Sequence, residues 1–166
     1  MKEALKVLGS LLFVICLQLY LTKYITESYL LDLTMVAVIC FARYKSWLQS
    51  TLIGSAGGLF QDAVSALPLG MNGFTKTLTG YLVAAISSRL LLETLTTQFL
   101  LIFSMTLTDA FLKLVLYRAL GASLPARSLP TSLSQAVVTA AFGTIVLAGL
   151  RASARWKLTS KLQWRR

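Results

Sequence analysis

Apolar residues fill six long runs of the chain, and polar or charged residues collect in the short breaks between them. A helix that spans a bilayer needs about 20 mostly apolar residues, and most of the runs are close to that length. The pattern predicts six helices, at Leu5–Tyr20, Thr26–Ala42, Trp47–Ala66, Phe74–Leu92, Thr97–Leu120 and Leu133–Leu150.

The composition indicates the class of protein. Of the 166 residues, 56% are hydrophobic and 13% are charged. A soluble domain of this length cannot bury so much apolar surface, so we expect an all-α integral membrane protein. The first run lacks a small-residue cleavage site and is expected to stay in the protein. Residues 1–150 are predicted to form a six-helix transmembrane domain, and residues 151–166 a basic cytoplasmic tail.

The chain offers little catalytic chemistry. It contains no histidine, the commonest metal ligand and general base. Cys16 and Cys40 lie in different runs and lack metal-ligand spacing. We therefore expect no enzyme activity, no catalytic residue, no metal and no cofactor. The net charge of +10 is explained better by basic cytoplasmic loops than by a nucleic-acid partner.

Basic residues also set the predicted orientation, because they concentrate on the cytoplasmic side of a membrane. With a cytoplasmic N-terminus and six crossings, 11 basic residues face the cytoplasm. Four face outward, and these are Lys23, Lys76, Arg118 and Arg127. Both termini are therefore predicted to be cytoplasmic.

The tail Arg151–Arg166 has six basic residues and no acidic one. It is either a topology anchor with interfacial tryptophans or an amphipathic surface helix that touches anionic lipid or a cytoplasmic partner. The sequence leaves both open. The residues that would lie at the membrane surface are Trp156, Lys157, Lys161 and Trp164.

The stretch Gly54–Leu82 is the most distinctive part of the chain. Gly54, Gly57 and Gly58 form a small-residue segment that allows another helix to approach closely. That helix belongs either to the same chain or to a partner. Gln61 and Asp62 continue the same side, and the stretch then turns through Pro68 and Gly70 to Asn72, which is expected to cap the next helix.

Charged residues inside apolar runs are the other unusual feature. Asp109 and Lys113 are four residues apart on one helix, so they can neutralise each other on one face. Asp32 and Asp62 are predicted to lie one or two turns inside the outer ends of their helices. We therefore expect a cluster in the outer half of the bundle, in which three acids surround Lys113. Such charges indicate either a structural pair or a functional site.

The segments Gly57–Asp62 and Leu67–Gly73, followed by Gly80-Tyr81-Leu82, resemble the rod shape-determining MreD family. Asp32 and Asp109 extend the resemblance to the second and fifth helices. The resemblance implies a multi-pass protein of the bacterial cytoplasmic (inner) membrane without enzyme activity. It implies direct binding to MreC within the cell-elongation (Rod) complex, which supports lateral peptidoglycan synthesis and rod shape. The other implied members are MreB, RodZ, the glycosyltransferase RodA and a class B penicillin-binding protein.

The resemblance also supplies an alternative, because the MreD family is similar in fold to the substrate-binding membrane subunit of energy-coupling-factor vitamin transporters. Such a subunit needs a polar cavity and a small-residue face for its coupling subunit. The first predicted helix has only Gly9 and Ser10 and no pair of spaced alanines, which favours the scaffold. On that hypothesis, the glycine face and Asp62 organise a groove for an MreC helix.

Overall fold

The structure is a computed structural model that describes the backbone of residues 2–24, 31–64, 70–89, 94–121 and 129–163. Those ranges form six helices and no strand, which confirms the predicted all-α class and the number of helices. The helices are α1 (Lys2–Tyr24), α2 (Leu33–Ala42), α3 (Trp47–Val64), α4 (Met71–Ser87), α5 (Leu95–Ala119) and α6 (Leu129–Gln163).

The start of α2 differs from the prediction. Asp32 is not inside the helix; it is the N-cap residue, and its carboxylate accepts a hydrogen bond from the backbone N–H of Met35 at 2.8 Å. Aspartate is favoured at this position because the first amides of a helix have no intrahelical acceptor. The apolar run therefore indicated the helix, but it did not indicate where the helix begins.

The helix α6 is longer than predicted at both ends. It begins at Leu129 instead of Leu133 and continues through the basic segment to Gln163. The backbone of Trp156, Lys157 and Lys161 is therefore helical, while their side chains lie outside the described part of the structure. Trp164 and Pro68 also lie outside the described residues.

The short helix α2 is the centre of the bundle, and it contacts each of the other five helices. It is apolar on all sides, as a helix surrounded by other helices must be. Residues Leu33–Ile39 and Ala42 are buried. Its first turn is joined to α1 by Gln18, whose Oε1 accepts hydrogen bonds from the backbone and hydroxyl of Thr34 at 3.0 and 2.7 Å.

The remaining helices pack mainly in pairs, α3 against α4 and α5 against α6. The largest apolar cluster joins α2, α4, α5 and α6 through buried side chains that include Met35, Ile39, Val83, Ile102 and Leu147. Among the described helices, α1 contacts only α2 and α3. The helix α6 likewise contacts only α2 and α5, so α1 and α6 are the least enclosed of the described helices.

Two of the described helices are long and apolar enough to cross a membrane, over Leu95–Ala119 and Thr131–Arg151. Both expose large apolar side chains, such as Phe111 at 65% and Ile145 at 70%. Exposed apolar surface of this extent normally contacts lipid or another protein. These observations are consistent with membrane association.

Candidate functional site

The carboxylate of Asp62 is buried at the end of α3 and binds the beginning of α4. Its Oδ2 accepts hydrogen bonds from the backbone N–H groups of Gly70 and Gly73, both at 2.9 Å. Its Oδ1 accepts from the backbone and side-chain amides of Asn72, at 3.1 and 2.8 Å. A carboxylate satisfies the unpaired amides of a helix N-terminus and is favoured there by the helix dipole. Asp62 therefore couples the two helices across their turn.

This arrangement corrects the predicted cap. The N-cap position of α4 is Gly70, with a φ of 97°, and Asn72 lies inside the helix. Glycine is favoured at Gly70 because other residues rarely adopt this left-handed conformation. The capping oxygen comes instead from Asp62, and it reaches across the turn. Asp62 is 2% exposed, so its carboxylate points into the bundle, while its role in organising a partner contact stays a prediction.

The predicted glycine face lies between α3 and α4. A Cβ atom on Gly54 would overlap the backbone carbonyl of Lys76, and one on Gly58 would overlap that of Asn72. From the opposite side, a Cβ on Gly80 would overlap the carbonyl of Ser50. The two backbones are therefore in direct contact, which only glycine permits.

Of the two interpretations left open by the sequence, packing within the chain is correct for Gly54 and Gly58. The groove for a partner helix is wrong at these residues. Gly57 points to a different neighbour, since its Cβ would lie 3.2 Å from Cγ2 of Val38 in α2. Gln61, which was predicted to share the face with Asp62, is half-buried.

The central ion pair of the bundle was not predicted. The ammonium of Lys76 donates to Oδ2 of Asp32 at 2.8 Å, and the two side chains are 0% and 5% exposed. The prediction that Lys76 is one of the basic residues facing outward is therefore wrong. A signal was present, because Lys76 lies three and four residues from Gly73 and Gly80 and shares their buried helix face.

The second ion pair is local and was predicted. Nζ of Lys113 lies 2.7 Å from Oδ2 of Asp109, one turn away on α5. The Lys113 side chain is 19% exposed and that of Asp109 is 6% exposed. Thr75 of α4 lies beside the Asp109 carboxylate, which brings this pair against the α3–α4 unit.

The predicted cluster exists with a different centre. Lys76 interacts electrostatically with all three acids, Asp32, Asp62 and Asp109. Lys113 pairs with Asp109 at the side, so the prediction that three acids surround Lys113 is wrong. We refer to Asp32, Asp62, Asn72, Lys76, Asp109 and Lys113 as the polar cluster. It lies at the end of the bundle where α3 finishes and α4 begins.

The polar groups of the cluster bind to one another. Each buried acid has a specific partner, either a lysine or a helix N-terminus. Within the described ranges, no three histidine, cysteine, aspartate or glutamate side chains come together as metal ligands would. The fold and the cluster thus define an all-helical protein in which each of these three buried acids has a partner within the chain.

Comparisons with known proteins add no relative. No family model matches the chain, and neither a curated protein nor a solved structure matches it.

Proposed function

We propose that the protein is a membrane scaffold of the bacterial elongation machinery, resembling MreD and binding an MreC-type partner. One structural observation supports this proposal in addition to the resemblance. The buried charges hold the helices to one another, as Asp62 binds the start of α4 and Asp32 binds Lys76. Buried charges that are paired within the chain stabilise one arrangement of the helices. A transport or catalytic site instead needs charges that remain available to a substrate.

The proposed setting is the bacterial cytoplasmic membrane, crossed six times, with both termini in the cytoplasm. The exposed apolar side chains of α5 and α6 support this placement. The burial of Lys76 supports it too, because removing Lys76 from the residues counted on the outer side changes the count of basic residues from 11 against 4 to 11 against 3. The positive-inside rule is then obeyed more strictly.

The partner helix must use a surface other than the glycine face, because α4 already occupies that face. The helices α1 and α6 are the least enclosed and keep exposed apolar side chains, including Phe13 on α1 and Val137 on α6. A single transmembrane helix packs in a bilayer through van der Waals contact with such a face. We propose that MreC binds at one of these two helices.

Affinity purification of the tagged full chain from its own bacterium in mild detergent tests the proposal. We expect an MreC-type protein to co-elute, with other members of the elongation machinery, and depletion of the chain to round the cells. Co-elution of a vitamin and an energy-coupling subunit would instead favour the transporter subunit. Co-elution of neither set, with normal cell shape, would reject the scaffold.

A further inference from the structure

The end of the bundle opposite the polar cluster has a cleft of about 570 Å³, which is within the range of about 300–1,000 Å³ found for ligand sites. It lies between the α2–α3 turn and the last turn of α4. Its walls are fixed by close contacts. The hydroxyl of Ser50 donates to the carbonyl of Ala42 at 2.9 Å, and the carbonyl of Ser50 lies against Gly80. The cleft is therefore an open surface cleft whose two sides are held together by backbone contacts beneath it.

The polar wall of the cleft has the chemistry of an anion site. Arg43 and Lys45 supply two cations, and Ser46 supplies a hydroxyl group. The helix α3 begins directly after Ser46, so its first backbone amides lie at the same wall. Among the described residues that line the cleft, none is acidic. Guanidinium and ammonium groups beside a helix N-terminus are the standard donors for a phosphate group.

The other wall is apolar, with Trp47, Leu48 and Ala84. Trp47 is about half exposed and packs edge-on against Tyr81, with ring centroids 6.0 Å apart. Exposed tryptophan and tyrosine side chains are typical of the membrane–water interface. The cleft therefore combines a basic wall with an apolar wall, which suits an amphipathic ligand better than a free ion.

We propose that this cleft binds the headgroup phosphate of an anionic phospholipid, with Arg43 and Lys45 as its ligands and Leu48 against the glycerol and first methylenes. The inference rests on the proposed membrane placement, in which this end of the bundle faces the cytoplasmic leaflet. That leaflet carries the anionic lipids to which basic residues are attracted. The bound lipid would fix the depth and tilt of the α2–α3 turn.

The test is a titration of the purified full chain in mild detergent with phosphatidylglycerol or phosphatidylcholine, and bound lipid is counted by native mass spectrometry. We expect phosphatidylglycerol to be retained preferentially. Lys45→Gln or Arg43→Gln should each weaken its binding by about fivefold, and the double variant by about thirtyfold. Arg118→Gln is the matched control, because it removes one exposed cation at the opposite end and should change nothing.

Ser88→Trp provides a second variant that fills the cleft without changing the charge, and it should also reduce retention. Variants are compared only after size-exclusion chromatography has shown that they fold.

Equal binding of both lipids, equal binding by the Arg43 and Lys45 variants, or complete displacement by millimolar inorganic phosphate would each overturn the proposal. The assay contains no partner protein, so its failure is separate from failure to bind MreC. Alkaline carbonate extraction tests the membrane placement on its own.

Discussion

Lys76 and Asp32 are 44 residues apart in the sequence, yet they form an ion pair of 2.8 Å from which solvent is almost completely excluded. The pair joins α4 to the N-terminus of α2. The backbone N–H of Asp32 also donates to the hydroxyl of Thr139 at 3.2 Å, which adds α6. One aspartate therefore connects three helices, and the central helix α2 is positioned by it.

Breaking this pair from one side should destabilise the protein strongly. Lys76→Met leaves a buried carboxylate without its cation, and a loss of about 3–5 kcal/mol is expected for such a change. Asp32→Asn removes the carboxylate that contacts the Lys76 ammonium but keeps a good N-cap for α2, so it separates the effect of the ion pair from that of the cap. Thermal unfolding in mild detergent measures both effects.

The double variant Asp32→Asn/Lys76→Met is the control for that prediction. It removes both charges, so it should recover much of the stability lost by either single variant. If the single variants unfold at the wild-type temperature, or if the double variant equals the sum of the two losses, the pair does not couple α2 to α4.

The cap formed by Asp62 predicts a local effect. Asp62→Ala leaves the amides of Gly70, Asn72 and Gly73 without their acceptor, and each buried unsatisfied group costs about 1–3 kcal/mol. The backbone amides at the start of α4 should then exchange with solvent much faster, by hydrogen–deuterium exchange mass spectrometry. Asp62→Asn retains one acceptor oxygen and should be intermediate. Equal exchange in all three proteins would show that the cap is dispensable.

These two contacts illustrate what the sequence could predict. The i,i+4 pair of Asp109 and Lys113 follows from local helix geometry and is present as expected. The pair of Asp32 and Lys76 depends on which helix faces which, and that information is distributed over the glycines of α3 and α4. The three acids and Lys113 were recognised as unusual. Lys76, in the first turn of the predicted helix Phe74–Leu92, was counted with the outer basic residues, whereas the helix begins at Met71 and buries it.

Some helix ends could be predicted from the hydropathy pattern, whereas others are determined by side-chain contacts that the pattern does not show. The start of α3 at Trp47 was predicted correctly, since the apolar run there begins after a polar turn. The start of α2 was placed at Thr26, because hydropathy could not show that the carboxylate of Asp32 would satisfy a backbone amide. Small residues likewise revealed the close approach at Gly54 and Gly58, but not that α4 makes it.

The close contacts at Gly54 and Gly58 predict that adding a single methyl group there strongly destabilises the protein. Gly58→Ala places a Cβ 2.7 Å from Cα of Gly73 and in overlap with the carbonyl of Asn72. Backbone atoms cannot move aside as a flexible side chain can, so the cost should reach or exceed the upper end of about 1–3 kcal/mol. Gly54→Ala should behave in the same way. The midpoint of thermal unfolding in detergent and the yield of monodisperse protein both report the loss.

Gly9→Ala is the matched control, because no atom lies within 4 Å of the added Cβ. It should keep or slightly raise stability, since alanine is favoured over glycine inside a helix by about 1 kcal/mol. If Gly58→Ala folds normally but fails to co-purify with MreC, the glycine face is a partner site after all, contrary to the packing described.

The two ends of the Asp109–Lys113 pair should respond unequally to mutation. Lys113 is 19% exposed and has a long side chain, so after Asp109→Asn its ammonium can reach polar surroundings at little cost. Lys113→Met instead leaves the more deeply buried carboxylate of Asp109, and in the proposed bilayer setting an unpaired charge costs about 2.5–3.5 kcal/mol. We therefore expect Lys113→Met to lower the unfolding midpoint more than Asp109→Asn does, and the neutral double variant to be close to wild type.

The reverse order would mean that Lys76 compensates Asp109 after Lys113 is removed, since Lys76 also interacts with that carboxylate. An Asp109→Asn protein of normal stability that no longer binds MreC would instead give Asp109 a role in the partner contact.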